Sequence, residues 1–259
     1  MITSKGENIG DHQQTVKALL SYGKKLEEWA QPVEKISKLR GSTANAFLLG
    51  VMLDRSILAE RSWEAANWIN DAIGDPDNVR GLWVNLKNLE KRRLEGFLRY
   101  GYGGKAFHRH YKTFAEQLPK ASLLLLEKYE GDPRKIWNSK RDVSNVRDRL
   151  EEIPGIGPAL SRMAVLILAR NYGLLGGKEA FPQIDIKPDV HVMRVFKRVG
   201  FISAKSKEGD AVAAARDLYK KFPAALDAPS FKIGQEWCRP VRRHCEDCPI
   251  GKVCPKITQ

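Results

Sequence analysis

Apolar residues recur along this chain with the period of an α-helix. Phe107, Tyr111, Phe114 and Leu118 fall at i, i+4, i+7 and i+11, one face of a helix. Leu82, Leu86, Leu89 and Phe97 form a second stripe, and Val192, Val195, Phe196 and Val199 a third. Ala46 to Leu53 is apolar almost all round, which predicts a central buried helix. Sustained alternation with β-branched residues is nearly absent. The pattern predicts an all-α fold of roughly ten helices with short connections. Breaks are expected at Gly74–Asp75–Pro76, Gly101 to Gly104, Gly131–Asp132–Pro133 and from Gly173 to Pro188. Trp63, Trp68, Trp83 and Trp137 lie in helical stretches and are expected in the core.

The chain has 259 residues, of which 42% are hydrophobic, enough for one or two domains with a sizeable core. The longest apolar runs, Ala46 to Leu53 and Ala121 to Leu126, are too short to cross a bilayer. The amino terminus carries no apolar targeting core. These features predict a monomeric, cytoplasmic protein, associated with the nucleoid if prokaryotic, with no membrane partner. Lys and Arg total 44 against 31 acids, a net charge of +13. That surplus points to a polyanion, most commonly nucleic acid, although a basic solvated surface would read the same. Charge supplies affinity but no sequence preference.

All four cysteines fall in one run, Cys238-x6-Cys245-x2-Cys248-x5-Cys254. Four thiolates can hold a zinc ion or an iron–sulfur cluster. Zinc usually takes two close pairs, and only Cys245 and Cys248 form one here. The uneven spacing fits a single 4Fe-4S cluster better. Disulfides are the weaker alternative, since no signal peptide directs the chain to an oxidising compartment.

Residues 153–159 read Ile-Pro-Gly-Ile-Gly-Pro-Ala. The glycines allow a tight turn with exposed amides, and Pro158 suits the first position of a helix. Amides beside a helix N-terminus favour an anion, and Arg162 would add charge. The alternative is a plain helix–helix turn. Further on, Asp189 follows Pro188 and opens an amphipathic helix, so it is a natural N-cap. A carboxylate there could also stabilise positive charge on a sugar as a base departs, or orient the attacking water. His191 is expected to pack or hydrogen-bond locally. Arg194 and Lys197 or Arg198 could reach phosphate, or simply form a solvated basic face.

The hairpin, the segment Asp189-Val-His-Val-Met-Arg-Val195 and the terminal cysteine run, in this order, resemble the helix–hairpin–helix DNA glycosylases of the endonuclease III superfamily. Gly101-Tyr-Gly-Gly-Lys-Ala106 is a weaker match to that family's Gly-aromatic-x-x-Lys-Ala segment. The resemblance implies a six-helix barrel domain over 41–172. A second, discontinuous helical domain, 1–40 with 173–259, would carry a 4Fe-4S cluster on Cys238, Cys245, Cys248 and Cys254. Double-stranded DNA containing a modified or mismatched base would lie in the groove between the domains, with the target nucleotide turned out toward Asp189. Gly155, Ile156, Gly157, Ala159 and Arg162 would hold the backbone. Arg239, Arg242 and Arg243, between the first two cysteines, would add grip, and Trp237 would pack over the cluster.

Departures from the family narrow the expectation. Members that also cut the backbone carry a lysine two residues after the second hairpin glycine, and this chain has Ala159 there. The expected chemistry is therefore monofunctional hydrolysis of an N-glycosidic bond. The adenine-excising branch carries a glutamate before a Val-Met-Leu segment, and this chain has Gly50. Asp54 and Ser56 stand where glutamines are usual and become candidate base-pocket residues. The stretch from Ala159 to Asp189 is longer than is typical, which suits either extra DNA contacts or a harmless insertion. The rival readings are a catalytically inactive DNA-binding protein, a glycosylase and AP lyase using a displaced lysine such as Lys187, and a redox sensor.

Overall fold

The computed structural model describes residues 9–26, 41–101, 108–138 and 142–257. Among these the regular elements are all helical: α1 (Ile9–Lys25), α2 (Gly41–Leu53), α3 (Ala59–Ile73), α4 (Gly81–Asn88), α5 (Lys91–Tyr100), α6 (Tyr111–Tyr129), α7 (Arg134–Trp137), α8 (Val143–Glu151), α9 (Pro158–Arg170), α10 (Val190–Arg198), α11 (Glu208–Leu218) and α12 (Asp227–Glu236). Short 3-10 turns occupy Gly177–Gln183 and Pro223–Leu226, so the break before Pro188 has local structure of its own. No described helix is long and apolar enough to cross a membrane. The chain divides into two compact units, Met1–Gln31 with Glu179–Gln259, and Pro32–Lys178.

The unit Pro32–Lys178 is built around α2, whose residues from Ala46 to Leu53 are buried without interruption. A helix apolar on every side must be surrounded, and α3 and α9 pack against it. The Phe47 ring is the hub: Trp137 and Tyr172 meet it edge-on at 5.5 and 5.9 Å, and Trp63 stacks at 5.9 Å. Gly50 is what lets Trp63 in, because a Cβ there would lie 2.2 Å from the indole ring. Trp83 and Trp137 are fully buried as expected, whereas Trp63 and Trp68 are only half-buried. A buried amide in this core has both its ends hydrogen-bonded. Asn45 accepts from Trp83 Nε1 and donates to the Val79 carbonyl, both at 2.8 Å, tying the loop before α4 to α2.

The stripe from Leu82 to Phe97 is not one helix. Leu89 takes an extended conformation after α4, and Phe97 belongs to α5, where it stacks on Trp68 at 4.3 Å. The two short helices each bury their own leucines against α6. Phe107 and the segment 102–106 lie outside the described residues.

The other unit joins α1 to the C-terminal helices. The stripe Val192, Val195, Phe196 and Val199 is buried as predicted, against Leu19, Ala211 and Ile233 among others. Thr15 on α1 donates to the Val253 carbonyl at 3.0 Å, and Tyr22 meets Trp237 edge-on at 5.9 Å. Both ends of the chain thus enclose one core.

His108 is a buried, neutral histidine. Its Nδ1 accepts from the His110 amide at 3.0 Å, so Nε2 carries the proton and donates to the Leu53 carbonyl at 3.2 Å. Burial lowers its pKa from the usual 6.5 to about 4. The unfolded chain therefore binds a proton near pH 6.5 that the folded chain refuses. Stability should be complete above that pH and decline as pH falls toward 4, by roughly 3 kcal/mol in total. Denaturant unfolding between pH 7 and 4 should show this slope, and His108→Gln should flatten it.

Candidate nucleic-acid interface and cysteine centre

The hairpin between α8 and α9 is anchored by apolar side chains and open through its backbone. Ile153 and Ile156 are buried, and the Ile156 amide closes the turn on the Ile153 carbonyl at 2.9 Å. Ser161 of α9 donates to Glu151 of α8 at 2.6 Å, fixing the two helices. Gly155 has φ +103°, and a Cβ there would lie 3.0 Å from Gln117 Oε1. Gly157 differs: its φ of −104° is open to any residue, and nothing lies within 4 Å of where its Cβ would be. Only the first glycine is demanded by the fold. Pro158 opens α9, and the amides of Gly157, Ala159 and Leu160 donate to nothing among the described residues. Unpaired amides at a helix start bind anions. Arg162, in the next turn, is half-buried and engaged with neighbouring groups.

Asp54 and Ser56 follow the end of α2, just beyond the carbonyl held by His108. Asp54 is half-buried and engaged with its surroundings. Ser56 is exposed and left-handed, with φ +59°, a conformation that costs a non-glycine residue on the order of 1 kcal/mol.

In the other unit, the segment leading to Asp189 is pinned at three places. Buried Asp185 receives Arg216 Nε and Nη2 at 2.7 and 2.8 Å. The Ala224 amide donates to the Ile184 carbonyl at 3.1 Å, and the Lys187 amide donates to the Asp227 carboxylate. Sequence reading missed Asp185, Arg216 and Asp227. An acid between two isoleucines, Ile184 and Ile186, was the available signal for Asp185, and none pointed to Asp227.

Asp189 caps α10 as predicted. Its Oδ1 accepts from the His191 and Val192 amides at 2.8 and 2.9 Å. Its Oδ2 takes no hydrogen bond among the described residues. The side chain is half-buried, and Val190 beside it is exposed. The arrangement leaves a carboxylate held by one oxygen with the other available at the surface.

His191 packs edge-on against Phe231 at 5.2 Å and meets Arg194 Nη2 through Nδ1 at 3.0 Å, the local role expected of it. Arg198 is buried and Arg194 half-buried, so these two do not form a solvated face. They point one turn apart into the cysteine segment. Arg194 Nε donates to the Cys238 carbonyl at 2.6 Å and Nη2 to the Gly234 carbonyl at 2.7 Å. Arg198 Nη1 reaches the same Cys238 carbonyl at 3.2 Å.

Cys238, Cys245, Cys248 and Cys254 are all half-buried and line one small open cavity, with Trp237, Ile250 and Arg198 among its walls. Burial, with the neighbouring cysteines adding to it, pushes the Cys248 thiol up to about 11 and raises Cys254 as well. Thiols so placed need a cation to become thiolates. No three His, Cys, Asp or Glu side chains among the described residues form a group able to hold a single metal ion. Gly251 makes the loop's return possible, since a Cβ there would lie 2.1 Å from the Cys245 carbonyl. Between the first two cysteines, Cys238 and Arg243 form an antiparallel bridge, and the His244 amide donates to the Trp237 carbonyl at 3.0 Å. Arg239, Arg242 and Arg243 are exposed on this turn, around an exposed Val241.

No protein-family model matches the chain. Endonuclease III homolog 1, chloroplastic, of Arabidopsis thaliana is 31% identical over 152 residues, 56% of this chain and 35% of that protein. The chain therefore spans about a third of that relative's length. A solved non-covalent endonuclease III–DNA complex is similar over 99% of this chain and 97% of its own, with a TM-score of 0.64 and 18% identity. A thermostable thymine-DNA glycosylase is similar over 95% of this chain and 96% of its own, with a TM-score of 0.62 and 16% identity. The chain thus shares its helical fold with these solved structures and, over 152 residues, sequence similarity with an endonuclease III homologue.

The two hairpin glycines should separate in experiment. Gly155→Ala forces a side chain into a left-handed position and should cost more than about 1 kcal/mol of stability. Gly157→Ala should leave thermal unfolding nearly unchanged.

Proposed function

We propose that this protein is a monofunctional DNA glycosylase that hydrolyses the N-glycosidic bond of a damaged, mismatched or modified base turned out of duplex DNA. The observation that carries the reading is the state of Asp189. Two helix amides hold one oxygen, and the other is available to stabilise charge growing on the sugar or to orient water. The free amides of Gly157, Ala159 and Leu160 suit a backbone phosphate, and Arg239, Arg242 and Arg243 add charge. Asp54 and Ser56 are proposed as base-pocket residues. Ala159 carries no nucleophile at the position where lyase members of the family carry lysine, which favours hydrolysis without strand cutting.

The four cysteines fit a 4Fe-4S cluster. A single tetrahedral ion would draw its thiolates to about 3.8 Å of one another, and among the described residues no three such side chains are grouped to hold one ion. When bound, the cluster supplies a crosslink that shapes the Cys238–Cys245 turn, and hydrolysis needs no electron from it. Iron and sulfide near four each per chain, with zinc absent, is the expected analysis.

Asparagine is as good an N-cap as aspartate. Asp189→Asn should therefore keep its stability and its DNA affinity while base release falls by at least about a hundredfold. The assay is a panel of modified duplexes, scored for strand breaks with and without alkali. Breaks should appear only after alkali, and borohydride should trap no covalent species. Base release undiminished in the variant would overturn the role of Asp189. Tight binding without release from any duplex would leave an inactive DNA-binding protein.

A further inference from the structure

Arg198 is only 6% exposed, and a guanidinium that deep needs compensation. Among the described residues it finds no carboxylate. Its partners are Cys238, Arg239 and Pro240 carbonyls, at 3.2, 2.8 and 3.3 Å, and the Cys238 sulfur, 3.3 Å from Nη1. It also lines the cavity that the four cysteines share. Carbonyl dipoles solvate the charge but do not neutralise it. Four thiolates around a cluster core leave a net negative charge, which would.

We propose that Arg198 is the built-in countercharge of the cysteine centre, and that its N–H···S bond to Cys238 raises the potential at which a bound 4Fe-4S cluster accepts an electron. This rests on the cluster reading given above. The physics is direct. A cationic donor stabilises the electron-richer state of a ligand sulfur more than the electron-poorer one, so it favours reduction and opposes oxidation. The same side chain holds three successive carbonyls of the turn that carries Arg239, Arg242 and Arg243. One group therefore sets both the electronics of the centre and the shape of its basic edge. Arg194 shares the Cys238 carbonyl but has no bond to a sulfur among the described residues, so its charge acts on the centre through space only.

The test uses the full chain as purified, with iron and sulfide measured first, then voltammetry and resonance Raman spectroscopy. Arg198→Met should shift the cluster potential to more negative values, raise the Fe–S(Cys) stretching frequency and speed cluster loss in air. Arg194→Met removes a nearby charge but no N–H···S bond, so it should shift the potential less than Arg198→Met and leave the stretching frequency where it is. An iron-loaded Arg198→Met protein with wild-type potential and stretching frequency overturns the proposal and leaves the cluster reading standing. Wild-type protein without iron and sulfide overturns both. If Arg198→Met loses the cluster altogether, Arg198→Lys decides. It keeps the charge but lacks the guanidinium fork, so a potential below wild type supports the proposal and an unchanged one overturns it.

Discussion

The arrangement depends on one short helix, α10, doing two jobs at its two ends. Its first turn holds the Asp189 carboxylate by two backbone amides. Its later turns project Arg194 and Arg198 into the carbonyls of the cysteine segment. The buried stripe Val192, Val195, Phe196 and Val199 fixes the helix in its core, so neither end can rotate without disturbing the other. A carboxylate and a thiol-lined cavity are thereby set in fixed relation through nine residues of backbone.

The approach to that helix is held as firmly. Asp185 is buried and would be costly without a partner. Arg216 gives it a bidentate one while remaining largely in solvent itself. Together with the bonds from Ala224 and Lys187, this converts a long connection into a positioned one. Within the stretch from Ala159 to Asp189, the 3-10 turn Gly177–Gln183 gives the connection local structure of its own.

Much of the fold and site was legible because it is local. The capped aspartate, the glycine turn and the cysteine run each declare themselves within a dozen residues. The buried character of α2 followed from its apolar sides alone. What escaped was tertiary. The split between α4 and α5 at Leu89 was hidden because both helices carry leucines at helical spacing. The second hairpin glycine read like the first, though only Gly155 needs its backbone freedom. Arg194 and Arg198 read as surface charge because their partners lie forty residues away, on backbone carbonyls that sequence pattern does not mark.

The close approach of Trp63 to Gly50 has an evolutionary corollary. With an indole ring filling the space where a side chain would begin, no acid can be introduced at position 50 by a single codon change without displacing the aromatic. The two sites form a lock of size against size: small residue with large ring, or large residue with a smaller neighbour. A side chain at position 50 would therefore call for a smaller residue in place of Trp63.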